Sequence, residues 1–479
     1  MAPVAPQAHC AVTQGNCGIP SQLIEEATVK QLLEQAAHRA TAYLDQLPTR
    51  RVAPTGEAIA ALAGLAIPLP EEPQPAEATL RLLDELGSPA TTATASGRYF
   101  GFVTGGSLPV TLASNWLATA WDQNSAHFGP APATATLEQV ALGWLLEVLQ
   151  LPAGSAAAFA TGATMANFSA LAAARHAVLA RAGWDVEADG LIGAPPVTVV
   201  LSEEVHPTVL KGLGLLGFGR KRVLRMPVDG QGRVLPDALP RLDGPAIVCL
   251  QAGNVNTGAF DPVAELIAAA HAQGAWVHVD GAFGLWARAS DSLRTLTAGT
   301  EHADSWATDA HKWLNVPYDS GIAFVREGAA LRAAMAVTAD YLPQEGPQRN
   351  PSDYTPELSR RARGVDVWAA LHTLGRRGVA ALVEQCCAHA RRFARELREA
   401  GAEILNDVVL NQVLVRFGDA DATRRVVAAI QAEGTCWAGI TVWQGHTAMR
   451  ISVSSWATTD EDVTRSLEAM RRVMREVRG

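Results

Sequence analysis

The chain has 479 residues, 48% of them hydrophobic, and a formal net charge of −9 at neutral pH. That length suits two or three domains, and the acidic balance argues against general nucleic-acid binding. Six scattered cysteines with no Cys-x-x-Cys pair disfavour a zinc or other metal site and fit a reducing compartment.

Residues 1–20 read as a loose terminus without a basic or apolar leader, and no apolar run is long enough to span a bilayer. The expectation is a soluble cytoplasmic protein without a membrane or nucleic-acid partner. From Ser21, apolar residues Ile24, Leu32, Leu33, Ala36, Ala40 and Leu44 predict an amphipathic helix. Four prolines between Ile67 and Pro75 predict a linker, and a short helix is expected over Ala76–Leu86. These pieces make a poor independent core, so they should pack on the main domain or on a second subunit.

Leu137, Val140, Ala141, Trp144, Leu145, Val148 and Leu149 recur at helical spacing, and Thr136 with Gln139 reads as a capping box. Short apolar strands then alternate with helices. The strands are expected at Ala156–Ala160, Val197–Leu201, Ala246–Leu250, Trp276–Asp280, Ser305–Thr308 and Gly321–Val325. Asp261 reads as the cap of a helix with Pro262 in its first turn. The alternation predicts an α/β domain with a largely parallel sheet. Past Asp366, long helices and the strands Val413–Phe417 and Met449–Val453 indicate a small α/β domain, whose last helix opens on a Thr458–Glu461 capping box.

Ligands of a parallel sheet bind outside the carboxyl ends of its strands. Gly162-Ala163-Thr164 joins a strand to a helix, where free N–H groups favour an anion such as phosphate. His206 lies at a strand end before Pro207, and Asp280 closes the run Trp-Val-His-Val-Asp ahead of Gly281-Ala282. Lys312, between His311 and Trp313, is one of four lysines in a chain with 39 Lys plus Arg. Arg stays protonated, whereas a desolvated Lys can become a nucleophile and form a Schiff base. Singly, each residue has a routine structural explanation. Jointly they match pyridoxal phosphate, whose aldehyde takes a Lys, whose ring nitrogen takes an Asp and whose phosphate seeks a helix N-terminus.

His-Val-Asp-Gly-Ala at 278–282 and His311-Lys312-Trp313 resemble the group II pyridoxal-phosphate-dependent amino-acid decarboxylases, relatives of aromatic-L-amino-acid and glutamate decarboxylases. The resemblance runs from about Ser96 to Trp456. It implies a fold type I transferase architecture: an N-terminal arm (1–97), a large cofactor-binding domain (98–365) and a small C-terminal domain (366–479). It also implies a homodimer with sites at the interface and a small-molecule amino-acid substrate. By resemblance Lys312 carries the cofactor, Asp280 pairs with the ring nitrogen and His206 stacks on the ring. Gly162, Ala163, Thr164, Ala282, Asp309 and His311 border the cofactor, and Arg450 offers a substrate-carboxylate contact. Asp353-Tyr354, followed by Arg360, Arg361 and Arg363, is similar to the family's mobile loop, whose Tyr reprotonates the substrate carbon in the neighbouring subunit. The Pro-rich stretch from Pro343 to Pro356 suits a lid.

Met165, Asp309 and Asn254-Val255-Asn256 depart from common family residues, which leaves the substrate open. Asp309 puts a negative charge near a phosphate unless it points away. Tyr99, Phe100, Trp116 and Trp121 suggest an aromatic or large apolar substrate. The expected reaction is decarboxylation of an L-amino acid through a Lys Schiff base and quinonoid. The alternatives are aldol-type carbon–carbon cleavage, transamination, decarboxylating aldehyde synthesis, or regulatory cofactor binding without turnover.

Overall fold

A computed structural model describes residues 28–337 and 348–478. Two compact units emerge. Of the described residues, the first comprises 28–50 together with 54–92, and the second comprises 51–53 with those from 93 onward.

In the first unit, helix α1 (Val29–Gln46) starts at Thr28, whose side chain forms a capping box with Gln31. The expected start at Ser21 lies outside the described residues. Arg39 pairs with Asp84 at 2.8 Å, and the Tyr43 and Thr91 hydroxyls meet at 2.9 Å. No residue in its described helices is fully buried, and Val29, Leu33, Leu44, Ile59 and Leu83 are exposed. A unit this small and this apolar on its surface lacks a core of its own.

The second unit contains two sheets. The larger has seven strands: β1 (Ala156–Ala160), β2 (Thr198–Ser202), β3 (Leu224–Met226), β4 (Ala246–Gln251), β5 (Trp276–Asp280), β6 (Ser305–Asp309) and β7 (Gly321–Val325). Their order is β1-β7-β6-β5-β4-β2-β3, and only β7 runs against its neighbours. The strands match the apolar runs of the sequence because a sheet covered on both faces reads as continuous hydrophobic stretches. Separate buried clusters fill its two sides, one around Trp286, Trp306 and Trp313, the other around Leu171, Leu201 and Leu213. The smaller sheet has β8 (Glu403–Ile404), β9 (Gln412–Arg416), β10 (Gly439–Trp443) and β11 (His446–Ser452) in antiparallel order β10-β11-β9-β8.

Three expected helix starts are corrected. Helix α2 (Pro109–Trp121) precedes α3 (Pro132–Val148), and α3 opens at Pro132, so Thr136 and Gln139 lie inside it. A proline at the first position has no N–H to leave unbonded, which makes it the stronger start signal. Asp261 does not cap the helix Val263–His271. Its buried carboxylate instead accepts the Val234 and Gln251 N–H groups, at 2.9 and 2.7 Å. The last helix, Asp460–Arg478, is capped one residue later than expected, by Thr459 and Asp462, because the Thr458 hydroxyl donates to the Gly97 carbonyl.

Of the expected lid, residues 343–347 lie outside the described residues. The segment from Arg349 to Arg360 is anchored within the second unit by its arginines. Arg360 is buried and pairs with the fully buried Glu138 at 2.6 Å, while also donating to the Ser125 and Phe159 carbonyls. Arg349 reaches the same Glu138 at 3.5 Å.

Candidate active site

Register brings the strand-end residues together. Asp280 ends β5 opposite Gln251 of β4 and Ala307 of β6, and Asp309 ends β6 opposite Gly321 of β7. One helical turn, Ala310–Trp313, follows β6 directly and turns Lys312 back over the sheet's carboxyl edge. Lys312 Nζ lies 2.8 Å from Asp309 Oδ2, and its side chain is 18% exposed. A Cβ on Gly105 would collide with the Lys312 carbonyl, so a glycine there lets the 99–107 loop press on the Lys312 turn.

The turn expected to take an anion lies where β1 meets helix α4 (Ala163–Arg181). Gly162, at φ 157°, and Gly321 lie back to back with no room for a Cβ on Gly321. The Ala163 N–H is taken, 2.6 Å from Asp309 Oδ1. Asp309 therefore does not point away from the cradle; it occupies one donor and holds Lys312 with its other oxygen. The Thr164 N–H and hydroxyl have no hydrogen-bond partner among the described residues, which leaves both to an incoming anion. His311 Nδ1 accepts the Ser320 N–H at 3.1 Å, so a neutral ring carries its proton on Nε2, 3.7 Å from Asp309 Oδ1. Burial holds the His311 pKa low, against the pull of Asp309.

Asp280 is buried and accepts from the Ala282 N–H and the Asn167 amide, each at 3.2 Å. Burial pushes its carboxyl above the usual range, and the nearby His206 and Lys312 act in the opposite direction. His206 caps helix α5 (Pro207–Leu215), and its Nδ1 lies 2.8 Å from the Thr208 hydroxyl. Burial lowers its pKa, Asp280 raises it, and Lys312 and Arg450 lower it further. Lys312, Asp280, His206 and Arg450 thus form one electrostatic group.

The remaining expected residues divide. Tyr99 stacks on Trp437 with centroids 5.1 Å apart, and burial pushes its phenol up to about 12. Half-buried Arg450 donates to the Val255 carbonyl at 3.1 Å and meets no carboxylate among the described residues. Phe100 is not at the site: it is fully buried and packs edge-on against Phe393. Trp116 and Trp121 are exposed on α2 rather than lining a pocket. Tyr354 is half-buried under the Arg349 guanidinium, 4.2 Å from its ring centroid, within the cluster around Leu171 and Leu213. Within its own chain it is not joined to the Lys312 group.

Sequence reading passed over Asn167, His278, Thr208 and Gly105. A histidine within a β-branched run and a lone amide in an alanine-rich helix are visible signals, since a buried polar group needs a partner. Their pairing across 111 residues was not visible.

The donor set fits pyridoxal phosphate. An amine, a carboxylate, an imidazole and an open helix N-terminus stand at one sheet edge in the roles that group requires. Residues 65–417 match the family model described as the pyridoxal-dependent decarboxylase conserved domain. The chain is 30% identical over 390 residues to L-2,4-diaminobutyrate decarboxylase of Rhizobium meliloti (strain 1021), covering 76% of this chain and 75% of that protein. It is 26% identical over 443 residues to tryptophan decarboxylase 1 of Oryza sativa subsp. japonica, covering 84% and 85%. Its fold is similar to the crystal structure of Oryza sativa TDC with PLP and tryptamine, with TM-score 0.86 at 23% identity over 97% and 99% of the two chains. The chain belongs to the pyridoxal-dependent decarboxylase family and is a pyridoxal-phosphate-dependent amino-acid carboxy-lyase.

Proposed function

We propose that the substrate is an L-amino acid with an aromatic or large apolar side chain, converted to its amine by a cytoplasmic homodimer. The observation that carries this reading is Arg450, a half-buried guanidinium beside the Tyr99–Trp437 stack and within electrostatic reach of His206. The cation suits the substrate carboxylate, and the stacked rings suit a flat apolar side chain. Phe102, exposed and 5.7 Å from the Trp437 ring, extends that surface. The cytoplasmic assignment rests on Cys249, Cys386, Cys387 and Cys436, which are buried free thiols.

When bound, pyridoxal phosphate supplies an electron sink for the bonding pair left behind by CO2. In this reading Lys312, once released from Asp309, would be the amine that holds the cofactor. Asp280 keeps a proton on the ring nitrogen by charge pairing, and its burial shields that pair from water. His206 covers the ring face, Thr164 and His311 hold the phosphate, and Arg450 orients the substrate. Tyr354, contributed by the second subunit, returns a proton to the carbon that lost CO2.

The deciding experiment is CO2 release by the cofactor-loaded protein across the common L-amino acids and L-2,4-diaminobutyrate, with product masses. CO2 with the matching arylalkylamine is the expected result. Turnover confined to diaminobutyrate overturns the substrate class. Aldehyde with peroxide, glycine, or a half-reaction with a keto acid would each replace the amine-forming reaction by one of the alternatives. Saturable binding without product would indicate a regulatory role. Arg450→Met is expected to raise KM by roughly tenfold or more while kcat changes less, because a charged hydrogen bond to substrate is lost.

A further inference from the structure

We propose that Asn167 and His278 are positioning residues in a one-way hydrogen-bond chain that fixes the His206 proton on Nε2 and aims an amide donor at Asp280. The inference rests on the reading of Asp280 and His206 as cofactor-holding groups.

The chain starts in the core of the large sheet. Trp276 Nε1 lies 2.9 Å from Ser305 Oγ, and an indole can only donate. Ser305 accepts there and keeps its single proton free for His278 Nδ1, 3.0 Å away. A neutral His278 then carries its proton on Nε2, 2.8 Å from Asn167 Oδ1. With its oxygen committed to His278, Asn167 presents its NH2 to Asp280 Oδ2 at 3.2 Å and to the Thr208 hydroxyl at 3.4 Å. Thr208, accepting from Asn167, passes its own proton to His206 Nδ1 at 2.8 Å. The Thr208 backbone N–H faces the same nitrogen at 3.4 Å.

The Asp280 end sets the direction: the carboxylate takes the Asn167 NH2, so the Asn167 oxygen faces His278 Nε2 and takes its proton, which leaves Nδ1 bare for the Ser305 hydroxyl. Reversal would turn the Asn167 carbonyl onto the Asp280 carboxylate. Trp276, His278, Asn167 and Ser305 are buried, with exposures of 1% or less, so water cannot repair that conflict. Separately, burial drives the His278 pKa down to about 3, so the ring stays neutral in the chain. The functional product is a His206 that shows a donor N–H, not a lone pair, on the edge away from Thr208. The same amide orientation points an N–H at Asp280 Oδ2.

The test combines histidine nitrogen NMR on the 15N-histidine-labelled, cofactor-loaded protein with cofactor titration by fluorescence. His206 and His278, assigned by His206→Asn and His278→Gln, are expected to show bare Nδ1 and protonated Nε2. Asn167→Asp keeps shape but replaces the donor toward Asp280 by an acceptor, and should weaken pyridoxal phosphate binding by at least roughly tenfold. Thr208→Val removes the proton offered to His206 and should leave that ring in a mixture of tautomers; it stands alone if Asn167→Asp does not fold. A His206 protonated on Nδ1 in the native protein would overturn the inference, as would native affinity in Asn167→Asp while Asp280→Asn binds weakly. Native affinity in Asp280→Asn overturns the site reading itself.

Discussion

Asp309 spends both carboxylate oxygens inside the cradle, one on the Ala163 N–H and one on Lys312 Nζ. A phosphate arriving at Thr164 meets that negative charge, and the Lys312 amine must leave it to react. Asn in its place keeps an acceptor for Ala163 and removes the repulsion. Asp309→Asn is therefore expected to tighten pyridoxal phosphate binding by roughly three- to tenfold at low salt, with less gain at high salt. Fluorescence titration at two ionic strengths measures both. Weaker binding would mean that the Asp309–Lys312 pair prepares the site rather than opposing the cofactor.

His278 also links the site to acid stability. Its pKa is lowered to about 3 by burial, against an ordinary value of 6.5, so the unfolded chain takes up the proton first as pH falls. Stability from this group is complete above about pH 6.5 and falls by about 1.4 kcal/mol per pH unit until about pH 3. Burial raises the Asp261 carboxyl to about 6, which acts in the opposite sense between pH 6 and 4. Subtracting the pH–stability curve of His278→Gln from that of the native protein isolates the histidine. The difference should shrink from pH 7 to pH 4, and a flat difference would contradict the burial argument.

At the level of elements, the site depends on segments that sequence periodicity does not reveal. The 99–107 loop packs against the Lys312 turn through Gly105. Gly105→Ala should cost about 1–3 kcal/mol and weaken cofactor binding by displacing Lys312, read by thermal unfolding and titration. Glu138 is held between Arg349 and Arg360, all poorly exposed. Arg360→Met leaves a buried carboxylate short of its closer partner and should destabilise by about 3–5 kcal/mol. The double variant with Glu138→Gln should lose less than the sum of the two single changes, and additive losses would show that the pair does not couple.

These cases mark what was legible. Strands β1, β4, β5 and β7 were readable because a doubly covered sheet needs uninterrupted apolar runs; Asp280 stood out because it ends such a run, and Lys312 because lysine is rare in this chain. Helix starts slipped by one to five residues because Thr136, Asp261 and Thr458 have hydrogen-bonding chemistry that serves many roles. Arg360 read as part of a loop because its partner lies 222 residues away in sequence. The Asn254-Val255-Asn256 departure became intelligible only in three dimensions. Asn254 folds its own turn and donates to Glu204, Asn256 accepts from Thr441 of β10, and Val255 accepts from Arg450 of β11. The segment ties the carboxyl edge of the large sheet to the small sheet and fixes the direction of Arg450.

For the whole molecule, the question is what covers its exposed apolar surface. Trp116, Leu117 and Trp121 lie 52%, 55% and 43% exposed on helix α2, and Val29, Leu33 and Leu44 are exposed on α1. A second copy of the chain would cover such surface, and would bring in a Tyr354 that in its own chain packs on the cluster around Leu171 and Leu213. Light scattering should give a dimer, and Trp116→Glu with Trp121→Glu should shift it toward monomer. Lys312→Ala and Tyr354→Phe should each abolish most amine formation alone. Random mixing of the two then yields half heterodimers, each with one intact site, so activity should recover to about a quarter of native. No recovery from two inactive variants would place both residues in the site of a single subunit. Full activity of Tyr354→Phe by itself would remove Tyr354 from proton return.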